Sequence, residues 1–469
     1  MVRRIISAIA LDLGTTSIKA ALLDQNGRLN NIIARASPEI KADNGCYESD
    51  ALHYAETAEQ VLAKCQTLAG KNLPLGLCSQ RSSFLVWEKV SGQPFTPLIS
   101  WQDNRGIACC ETMRASENMI HNATGLRLTP YYFAPKLSVL LQLNPEWRDR
   151  LINGELMVGT LDSFLIWRWT SGQFHVTDAS MAARTLLMDL KKLEWSSALC
   201  QRFGIPLSIL PQIKPSAGLG LHLDNGLVLQ ASLGDQSAAL IASILEDQAE
   251  ALVNLGTGGF VMRYQATEES ALDGYLRTLV YLDNIGHSHI ANEGTLNSIS
   301  AALASYPVDQ CRVEELGAND IFCLAEPSGI GAPYFRNDLG IYFSQSIDHL
   351  TNNQVAALLL EAIIFRVARI LEDFHSVSPV KHVFLSGGLS ALSGLQHGIA
   401  QCVPYEVSCL QQKEASLQGA AMLAAGLKLK PQREVKEIAI VNRNNALHEK
   451  YQRWKNWLDE LLEQCSDCP

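Results

Sequence analysis

The chain has 469 residues, of which 47% are apolar and 18% charged, the composition of an ordinary soluble globular protein with room for two or three domains. Its formal net charge of −10 argues against a nucleic-acid partner, because no surplus of cations is available to neutralise phosphates. No apolar run reaches the ~18 residues of a membrane-spanning helix, so no membrane partner is predicted and a cytoplasmic location is expected.

The first predicted element is a β-hairpin in the stretch IALDLGTTSIKAALLDQNG, residues 9–27. A simple hairpin needs only a two-residue turn such as Asn-Gly, whereas this one carries Asp12 and then a Gly-Thr-Thr-Ser run. Small residues let backbone N–H groups approach a ligand and hydroxyl groups add donors, a combination that binds anions. A carboxylate oxygen suits a hard cation such as Mg²⁺. The stretch therefore predicts a phosphate site with Asp12 near a metal ion.

Strand-like and helix-like stretches alternate through the rest of the chain. GLCSQRSSFLVWEK (76–89) is typical of strand, bend and strand, and LEAIIFRVARILEDF (360–374) has apolar residues at helical spacing. The mixture predicts an α/β or α+β protein. A boundary between two lobes is expected near residues 243–250, and the absence of a long Pro/Gly/Ser linker there predicts closely joined lobes.

Two later glycine turns resemble the first. ALVNLGTGGFVMRY (251–264) is again strand, turn and strand, and its NLGTGG aligns without gaps with DLGTTS of the first hairpin. HVFLSGGLSALSGLQHGIAQ (382–401) is strand, Gly387-Gly388 and helix, a form that lets backbone approach a ligand closely. The repeat predicts two similar lobes that share a cleft, although unrelated Gly-Thr hairpins stay an alternative. The chain has no GxxxxGK[ST] sequence and no GxGxxG after the first strand, which excludes a P-loop and disfavours a dinucleotide site.

The last part of the chain predicts an amphipathic helix. NALHEKYQRWKNWLDELLEQ (445–464) has the required pattern and is expected to pack on one lobe. The twelve cysteines are scattered, mostly in apolar segments, which favours reduced buried thiols over disulfides. The terminal Cys465-x-x-Cys468 pair has no second pair near it and is interpreted as part of a tail rather than as a zinc or redox site.

The motifs together resemble the FGGY carbohydrate kinase family of the actin–hexokinase–chaperone superfamily, and its glycerol-kinase branch most closely. The resemblance runs over most of the chain, in the family's order, through LDLGTTSIKA, SQRSSFLVWEKVSGQPFTPLISWQDNR, TGLRLTPYY, GTLDSFLIWRWT, HVTDASMAARTLLMDL, FGIPLSILPQI, LGDQSAAL, NLGTGGF, GIGAPYF, SGGLSAL and EASLQGAAMLA. It implies an α/β protein with two actin-like, ribonuclease H-like lobes and a nucleotide and substrate cleft between them. The implied domains are a substrate-side lobe (1–245), a nucleotide-side lobe (246–430) and a helical tail packed on a lobe (431–469).

The resemblance also implies an ATP-dependent kinase that transfers the γ-phosphate to a hydroxyl of a small polyol or sugar, with Mg²⁺. Asp235 in LGDQ is the predicted catalytic residue, since phosphoryl transfer needs a carboxylate to accept the acceptor's proton. From the residues alone, Asp235 could equally cap the helix that follows. The resemblance assigns metal to Asp12 and Asp235, the acceptor to Arg81, Ser82, Trp101, Tyr131, Asp235, Gln236 and Phe260, and ATP to Gly14, Thr15, Thr16, Ser17, Gly256, Thr257, Gly258, Gly387 and Gly388.

The predicted acceptor pocket departs from glycerol kinases at one position. There the Gln-Arg pair is followed by a glutamate that accepts a hydrogen bond from the polyol, whereas this chain has Ser82 after Arg81. Losing a charged acceptor removes a hydrogen bond of ~1.5–3 kcal/mol and opens space, which makes a longer polyol or a ketose a credible acceptor. A second departure follows Glu293-Gly294, where Ser300 and Ala304 stand in place of a glycine and a glutamine and leave the contacts to adenine open.

Two alternative functions remain at this stage. One is a pentulose or heptulose kinase of the xylulokinase type, and the other is a non-catalytic regulator of the same fold that binds sugar and ATP. Asp12, Asp235 and both Gly-Thr turns favour the enzyme, because a regulator has no need of the base. The sequence leaves the oligomeric state open, with a homodimer as one expectation.

Overall fold

The computed structural model describes residues 6–69, 73–244, 246, 249–265, 272–426, 433–440 and 444–464. Cys465 and Cys468 lie outside the described residues. The strands are β1 (Ile6–Leu13), β2 (Ser17–Asp24), β3 (Leu29–Ala36), β4 (Lys41–Asp43), β5 (Cys46–Ser49), β6 (Pro74–Ser79), β7 (Phe84–Glu88), β8 (Leu98–Ile99), β9 (Leu156–Thr160), β10 (Val176–Asp178), β11 (Met188–Asp189), β12 (Glu194–Trp195), β13 (Gln212–Lys214), β14 (Ala217–His222), β15 (Val228–Gly234), β16 (Glu250–Leu255), β17 (Gly259–Tyr264), β18 (Leu276–Leu282), β19 (Ser288–Leu296), β20 (Cys323–Ala325), β21 (Ile341–Phe343), β22 (His382–Ser386), β23 (Glu406–Leu410) and β24 (Val435–Glu437).

The helices alternate with these strands, which is the mixture that the sequence predicts. They are α1 (Ala51–Ala69), α2 (Ile107–Thr112), α3 (Glu117–Thr124), α4 (Phe133–Leu143), α5 (Pro145–Ile152), α6 (Leu161–Trp169), α7 (Ala179–Ala183), α8 (Ser197–Phe203), α9 (Asp235–Ser243), α10 (Ile299–Leu303), α11 (Asn352–Val377), α12 (Ser393–Cys402), α13 (Ala415–Ala425) and α14 (Asn445–Gln464).

The chain divides into two compact units, and each contains segments that are distant in sequence. Unit 1 consists of Met1–Ala242, Arg277–Ile290 and Glu414–Gln432, and unit 2 consists of Ser243–Leu276, Ala291–Lys413 and Arg433–Pro469. Helix α13 therefore belongs to unit 1, although it follows most of unit 2 in the chain.

The central sheet of unit 1 has six strands in the order β14-β15-β6-β1-β2-β3. Strand β1 pairs antiparallel with β2 and parallel with β6, and β6 pairs parallel with β15. In that register Leu13 lies opposite Ser79, and Ser79 lies opposite Gly234. Three neighbouring parallel strands thus end at the same edge of the sheet, where open α/β sheets bind their ligands.

Strand β1 is apolar on both faces because a helix covers each face. Ile9 and Leu11 pack with residues of α1, and Ala8 and Ala10 pack with residues of α13. The side toward α13 carries small residues because the helix lies very close: a Cβ on Gly76 of β6 would stand 2.1 Å from the carbonyl oxygen of Ala420. A near-continuous apolar strand is what burial on two faces requires.

Unit 1 also contains a second, five-stranded sheet in the order β4-β5-β8-β7-β9. Helix α4 packs against it, and the rings of Phe84 and Phe133 meet edge to face with centroids 4.8 Å apart. This packing sets the position of α4 beside the loops that follow β6 and β8, which carry predicted substrate residues.

The sheet of unit 2 repeats the connections of the first. Its order is β18-β19-β17-β16-β22-β23-β24, so the run β19-β17-β16-β22-β23 corresponds to β3-β2-β1-β6-β15. The pairings match as well, since β16 pairs antiparallel with β17 and parallel with β22, and β22 pairs parallel with β23. The repeat inferred from DLGTTS and NLGTGG is thus a repeat of sheet topology.

The core of unit 2 is built on the long helix α11. Its N-cap is Thr351, which forms a capping box with Gln354. Helix α14 packs one face into the same core through Leu447, Tyr451, Trp454, Leu458 and Leu461. The spacing of those residues gives α14 the single apolar stripe that the sequence predicts.

The cysteines and the helices of the described ranges agree with the expectations from composition. All ten cysteines within them are free thiols, most of them buried, as the sequence predicts. None of the helices in those ranges is both long and apolar enough to cross a lipid bilayer.

Candidate active site

The carboxyl ends of three neighbouring strands of unit 1, β1, β6 and β15, lie at one edge of its central sheet. Strand β1 carries Asp12 and leads into the Gly-Thr turn, the loop after β6 carries Arg81 and Ser82, and β15 leads directly into α9, whose first residue is Asp235. Residues more than 200 positions apart are thereby brought into one cluster, and all of them were predicted as site residues.

Asp12 is a half-buried carboxylate whose Oδ1 atom is fully buried. Its Oδ2 accepts a hydrogen bond of 2.6 Å from the Ser416 hydroxyl of α13, while no nitrogen or oxygen of the described residues donates to Oδ1. Burial raises the pKa of Asp12 to about 6, and the negative charge of Asp235 adds to the increase, whereas the Ser416 hydrogen bond opposes it. The Oδ1 atom of Asp12 is therefore available to bind a cation.

The turn after β1 is tight, and its first hydroxyl is already engaged. A Cβ on Gly14 would stand 2.6 Å from the carbonyl oxygen of Ser17, so glycine is required there. The Thr15 hydroxyl donates to Gln80 Oε1 (3.2 Å) and accepts from Trp101 Nε1 (2.9 Å). Any phosphate contact from Thr15 must then come from its backbone, whereas the Thr16 side chain is exposed and Ser17 is half-buried.

Arg81 and Asp235 form an ion pair at the centre of the cluster. Arg81 Nε lies 3.8 Å from Asp235 Oδ1, and Arg81 Nη2 donates to Gln236 Oε1. The Arg81 side chain is buried, yet its Nε and Nη1 have no hydrogen-bond partner among the described residues. Two buried guanidinium donors without partners indicate a place for a polar ligand, since buried donors are otherwise almost always satisfied.

Asp235 is the first residue of α9 and is partly accessible, with 33% of its side chain exposed. Its Oδ1 accepts from the N–H of the next residue, Gln236, at 2.7 Å, whereas an N-cap side chain bonds an N–H two or three residues further along the chain. The surrounding protein raises the pKa of Asp235 by removing solvent, and the Arg81 cation opposes that rise. A raised pKa suits a carboxylate that accepts a proton.

Ser82 has a left-handed backbone with φ of 65° and is buried. Its hydroxyl donates to the carbonyl oxygen of Arg184 (2.9 Å), and its own carbonyl oxygen accepts from Lys136 Nζ (3.0 Å). The only hydrogen that the Ser82 hydroxyl can donate is therefore used within the protein.

Two predicted aromatic residues lie together near this loop. The rings of Trp101 and Tyr131 have centroids 5.4 Å apart, and Tyr131 meets Tyr132 edge to face at 5.0 Å. Through its hydrogen bond to Thr15, Trp101 also connects this aromatic pair to the turn after β1.

The predicted residues of unit 2 form a second cluster at the edge of its sheet. The Gly256–Gly258 turn follows β16, and Gly387 follows the parallel neighbour β22. Gly387 has φ of 88°, and a Cβ there would stand 2.3 Å from the carbonyl oxygen of Leu255, whereas a Cβ on Gly388 would meet nothing within 4 Å. Both glycines are exposed, as is Thr257.

Ser300, one of the departures from the family pattern, supports this turn. Its N–H and its hydroxyl both donate to the carbonyl oxygen of Thr257, each at 3.2 Å. Ala304 is exposed at the end of α10. Phe260 is half-buried on β17, opposite Asn254 and Thr295.

The carboxylates of unit 1 fit a magnesium ion that is shared with a phosphate ligand. Within the described ranges, no group of three or more His, Cys, Asp or Glu side chains could hold a metal by itself. Mg²⁺ commonly takes only one or two carboxylates and completes its shell with water and substrate phosphates. Unit 1 supplies two such carboxylates: Asp12, whose Oδ1 has no hydrogen-bond partner among the described residues, and the neighbouring Asp235.

The sequence did not single out three residues that the structure places around the cluster. Lys136 bonds the loops after β6 and β8, Ser416 bonds Asp12, and the Ser83 hydroxyl accepts from the N–H of Trp101 at 3.0 Å. A lone lysine in the apolar stretch FAPKLSVLLQL was a usable signal, since lysine is rarely buried without a partner. The two serines carry no comparable sequence signal.

The chain matches the models of two protein-family domains. Residues 7–254 match the domain described as "FGGY family of carbohydrate kinases, N-terminal domain", and residues 251–426 match "FGGY family of carbohydrate kinases, C-terminal domain". A glycerol kinase of Shewanella putrefaciens is 30% identical over 447 residues, with 89% of each chain covered. A glycerol kinase of Aeromonas hydrophila is 29% identical over 444 residues, which cover 89% of this chain and 88% of the relative.

Solved structures share the fold at lower identity. The glycerol kinase of Plasmodium falciparum with ADP has a TM-score of 0.84 at 22% identity, covering 97% of this chain and 98% of its own. The xylulose kinase of Rhodospirillum rubrum has a TM-score of 0.82 at 20% identity, with the same coverage. The predicted α/β class with two actin-like units is confirmed.

Proposed function

This chain belongs to the FGGY family of carbohydrate kinases, and from that premise we propose the acceptor and the roles of its site residues. It is a phosphotransferase with an alcohol group as acceptor, and ATP is its co-substrate. The proposed reaction moves the γ-phosphate of ATP to a hydroxyl of a small polyol or sugar. The observation that carries the site assignment is the cluster of Asp12, Arg81 and Asp235 at the ends of three parallel strands.

Asp235 is the proposed general base. Its raised pKa favours acceptance of the proton that leaves the acceptor hydroxyl, and its partial exposure lets a substrate reach it. The neighbouring Arg81 offers two unpartnered donors to the acceptor's other oxygens. These contacts orient one hydroxyl toward Asp235, which is most of what phosphoryl transfer requires of a protein.

Asp12 and Asp235 are the residues that would hold Mg²⁺. Held by these carboxylates, the ion would supply positive charge against the phosphates of ATP. The proposed phosphate contacts come from Gly14, Thr15, Thr16 and Ser17 in unit 1 and from Gly256, Thr257 and Gly258 in unit 2, with Gly387 and Gly388 near the nucleoside. The substrate side is assigned to residues 1–245, the nucleotide side to 246–430 and a supporting tail to 431–469.

The acceptor contacts are proposed from Arg81, Ser82, Trp101, Tyr131, Gln236 and Phe260 together with Asp235. Serine in place of glutamate after Arg81 leaves no charged acceptor at that position, which favours a longer polyol or a ketose over glycerol. A pentulose or heptulose kinase activity is the rival that this substitution supports. A cytoplasmic location and a homodimer stay predictions from the sequence.

The test is ATP consumption against a panel of polyols and ketoses, followed by Asp235→Asn with the best acceptor. The variant should bind ATP and acceptor within a few-fold of the parent, while kcat falls by roughly 10²–10⁴, the usual contribution of a positioned base. Asp24→Asn, at the far end of the first hairpin, is the matched control and should keep its turnover. Full activity in Asp235→Asn contradicts the mechanism, and binding of sugar and ATP without any turnover in the parent supports a regulator instead.

A further inference from the structure

We propose that Lys136 is the positioning residue of the acceptor site, because its ammonium group holds together the three chain segments that carry Arg81, Trp101 and Tyr131. This inference rests on the proposed function, which assigns those three residues to the acceptor. Lys136 itself does not need to touch the acceptor.

Lys136 bonds two loops through their backbones. Its Nζ donates to the carbonyl oxygen of Ser82 at 3.0 Å and to that of Ser100 at 2.9 Å. Ser82 directly follows Arg81, and Ser100 directly precedes Trp101. The third segment is joined covalently, since Lys136 lies in the first turn and a half of α4, which starts two residues after Tyr131.

The burial of Lys136 argues against a role in stability alone. Its side chain is fully buried, its Nζ forms no ion pair with a carboxylate of the described residues, and burial lowers the pKa of Lys136 to about 7. The nearby carboxylate of Asp103 is already paired with Arg105, with Oδ1 2.8 Å from Arg105 Nε. A buried ammonium without an ion-pair partner opposes folding. An apolar side chain of similar length would pack the helix without that cost. What the lysine adds is its two carbonyl contacts and the position of its Nζ over the Phe84 ring, 5.8 Å from the ring centroid.

The loop that Lys136 holds needs external support. Ser82 has a φ of 65°, a left-handed backbone conformation that is unfavourable for any residue other than glycine. Its hydroxyl bond to Arg184 fixes one side of the residue, and the lysine fixes its carbonyl. With both contacts in place, the backbone of Arg81 is held, and its guanidinium keeps its distance from Asp235.

Lys136→Met removes the donors and keeps the length of the side chain. The KM for the acceptor should rise about 10- to 100-fold, as expected from the loss of two ordinary hydrogen bonds to backbone carbonyls. The KM for ATP should stay within about threefold, because the proposed nucleoside contacts lie in unit 2. Lys136→Gln keeps two N–H donors and should recover part of the acceptor affinity.

Leu140→Ala is the matched control, one turn further along the same helix and buried in the same core. It should lower the unfolding midpoint without changing the acceptor KM relative to the KM for ATP. A structural role for Lys136 alone would make the two variants behave alike. An acceptor KM in Lys136→Met that matches Leu140→Ala therefore overturns the proposal.

Hydrogen exchange tests the same contacts without any substrate. The N–H of Trp101 donates to Ser83 Oγ, so peptides covering 80–83 and 100–103 should exchange faster in Lys136→Met than in Leu140→Ala. Unchanged exchange overturns the proposal, and so does failure of both Lys136 variants to fold, which would make Lys136 a folding residue. A parent that phosphorylates no acceptor while exchange changes as expected refutes the proposed function and leaves the positioning contact in place.

Discussion

Asp12→Asn should make unit 1 more stable in the absence of metal, although it removes a carboxylate that we assign to Mg²⁺. Asp12 is half-buried, and no nitrogen or oxygen of the described residues donates to its buried Oδ1. An ionised carboxylate in that position lacks the solvation it has in the unfolded chain. Asparagine has the same shape and no charge, and its Oδ1 can still accept from the Ser416 hydroxyl.

The size of the effect follows from the pKa of Asp12, which burial raises from 3.8 to about 6. Because the folded state holds the proton more tightly, the cost of ionisation is absent below pH 3.8, grows between 3.8 and 6, and is fully present above 6. At 1.36 kcal/mol per pKa unit, the upper limit is about 3 kcal/mol. Asparagine's unpartnered amide donors oppose the gain, so we expect about 1–3 kcal/mol at pH 7.5.

The assay is urea unfolding in EDTA at pH 5 and pH 7.5, with Asp24→Asn as the matched control. Asp24 lies in the same hairpin, but both of its oxygens accept hydrogen bonds, Oδ1 from backbone N–H groups and Oδ2 from Asn30 Nδ2 at 3.2 Å. An amide nitrogen in place of Oδ2 would face that donor, so the substitution should destabilise. Turnover with Mg-ATP should fall strongly in Asp12→Asn. The reasoning is refuted if Asp12→Asn is no more stable than the parent at pH 7.5, or if its advantage does not shrink at pH 5.

Two further predictions concern unit 2. Gly387→Ala should raise the KM for ATP by roughly tenfold or more, because the φ of 88° and the Leu255 carbonyl oxygen 2.3 Å from the new Cβ force the turn to move. Gly388→Ala meets no atom within 4 Å and should change the KM for ATP little. Equal KM values for ATP in the two variants would contradict this reasoning. Lys450→Met should lower the free energy of unfolding by about 3–5 kcal/mol in urea titrations, because it leaves the buried carboxylate of Glu361 without its ion-pair partner. Adding Glu361→Leu should restore most of the lost stability. A double variant as unstable as Lys450→Met would refute the role of the unpaired charge.

Sequence reasoning located the strand-end loops because each loop follows an apolar strand and contains residues that strands and helices disfavour. Glycine is required at 14 and at 387 because a Cβ there would stand 2.6 Å and 2.3 Å from a backbone carbonyl oxygen, which is why the sequence pattern revealed those turns. The repeat of topology was predictable for the same reason, since both hairpins need the same small residues at the same bend.

The supporting contacts could not be predicted because they join residues that are distant in sequence and ordinary in type. Ser416 and Asp12 are 404 positions apart in the sequence. They are in contact because α13, which carries Ser416, belongs to unit 1 although it follows most of unit 2 in the chain. Thr15 was assigned to phosphate from its place in the turn, and the structure adds that its hydroxyl donates to Gln80 Oε1. A hydroxyl can bond any neighbour, so its partner depends on packing that a local pattern does not contain.

Ser82→Glu is the substitution that tests whether this position turns the enzyme away from glycerol. A glutamate would offer a charged acceptor to a hydroxyl of the polyol, at the cost of the hydrogen bond from the Ser82 hydroxyl to the Arg184 carbonyl. One charge-assisted hydrogen bond gained against one neutral bond lost limits the net change to about 1–2 kcal/mol. We therefore expect kcat/KM for glycerol, relative to the native acceptor, to rise about 5- to 30-fold. Ser82→Gln has the same length without charge and should show little of this gain, so equal specificity in the two variants would assign the change to size and refute the charge argument.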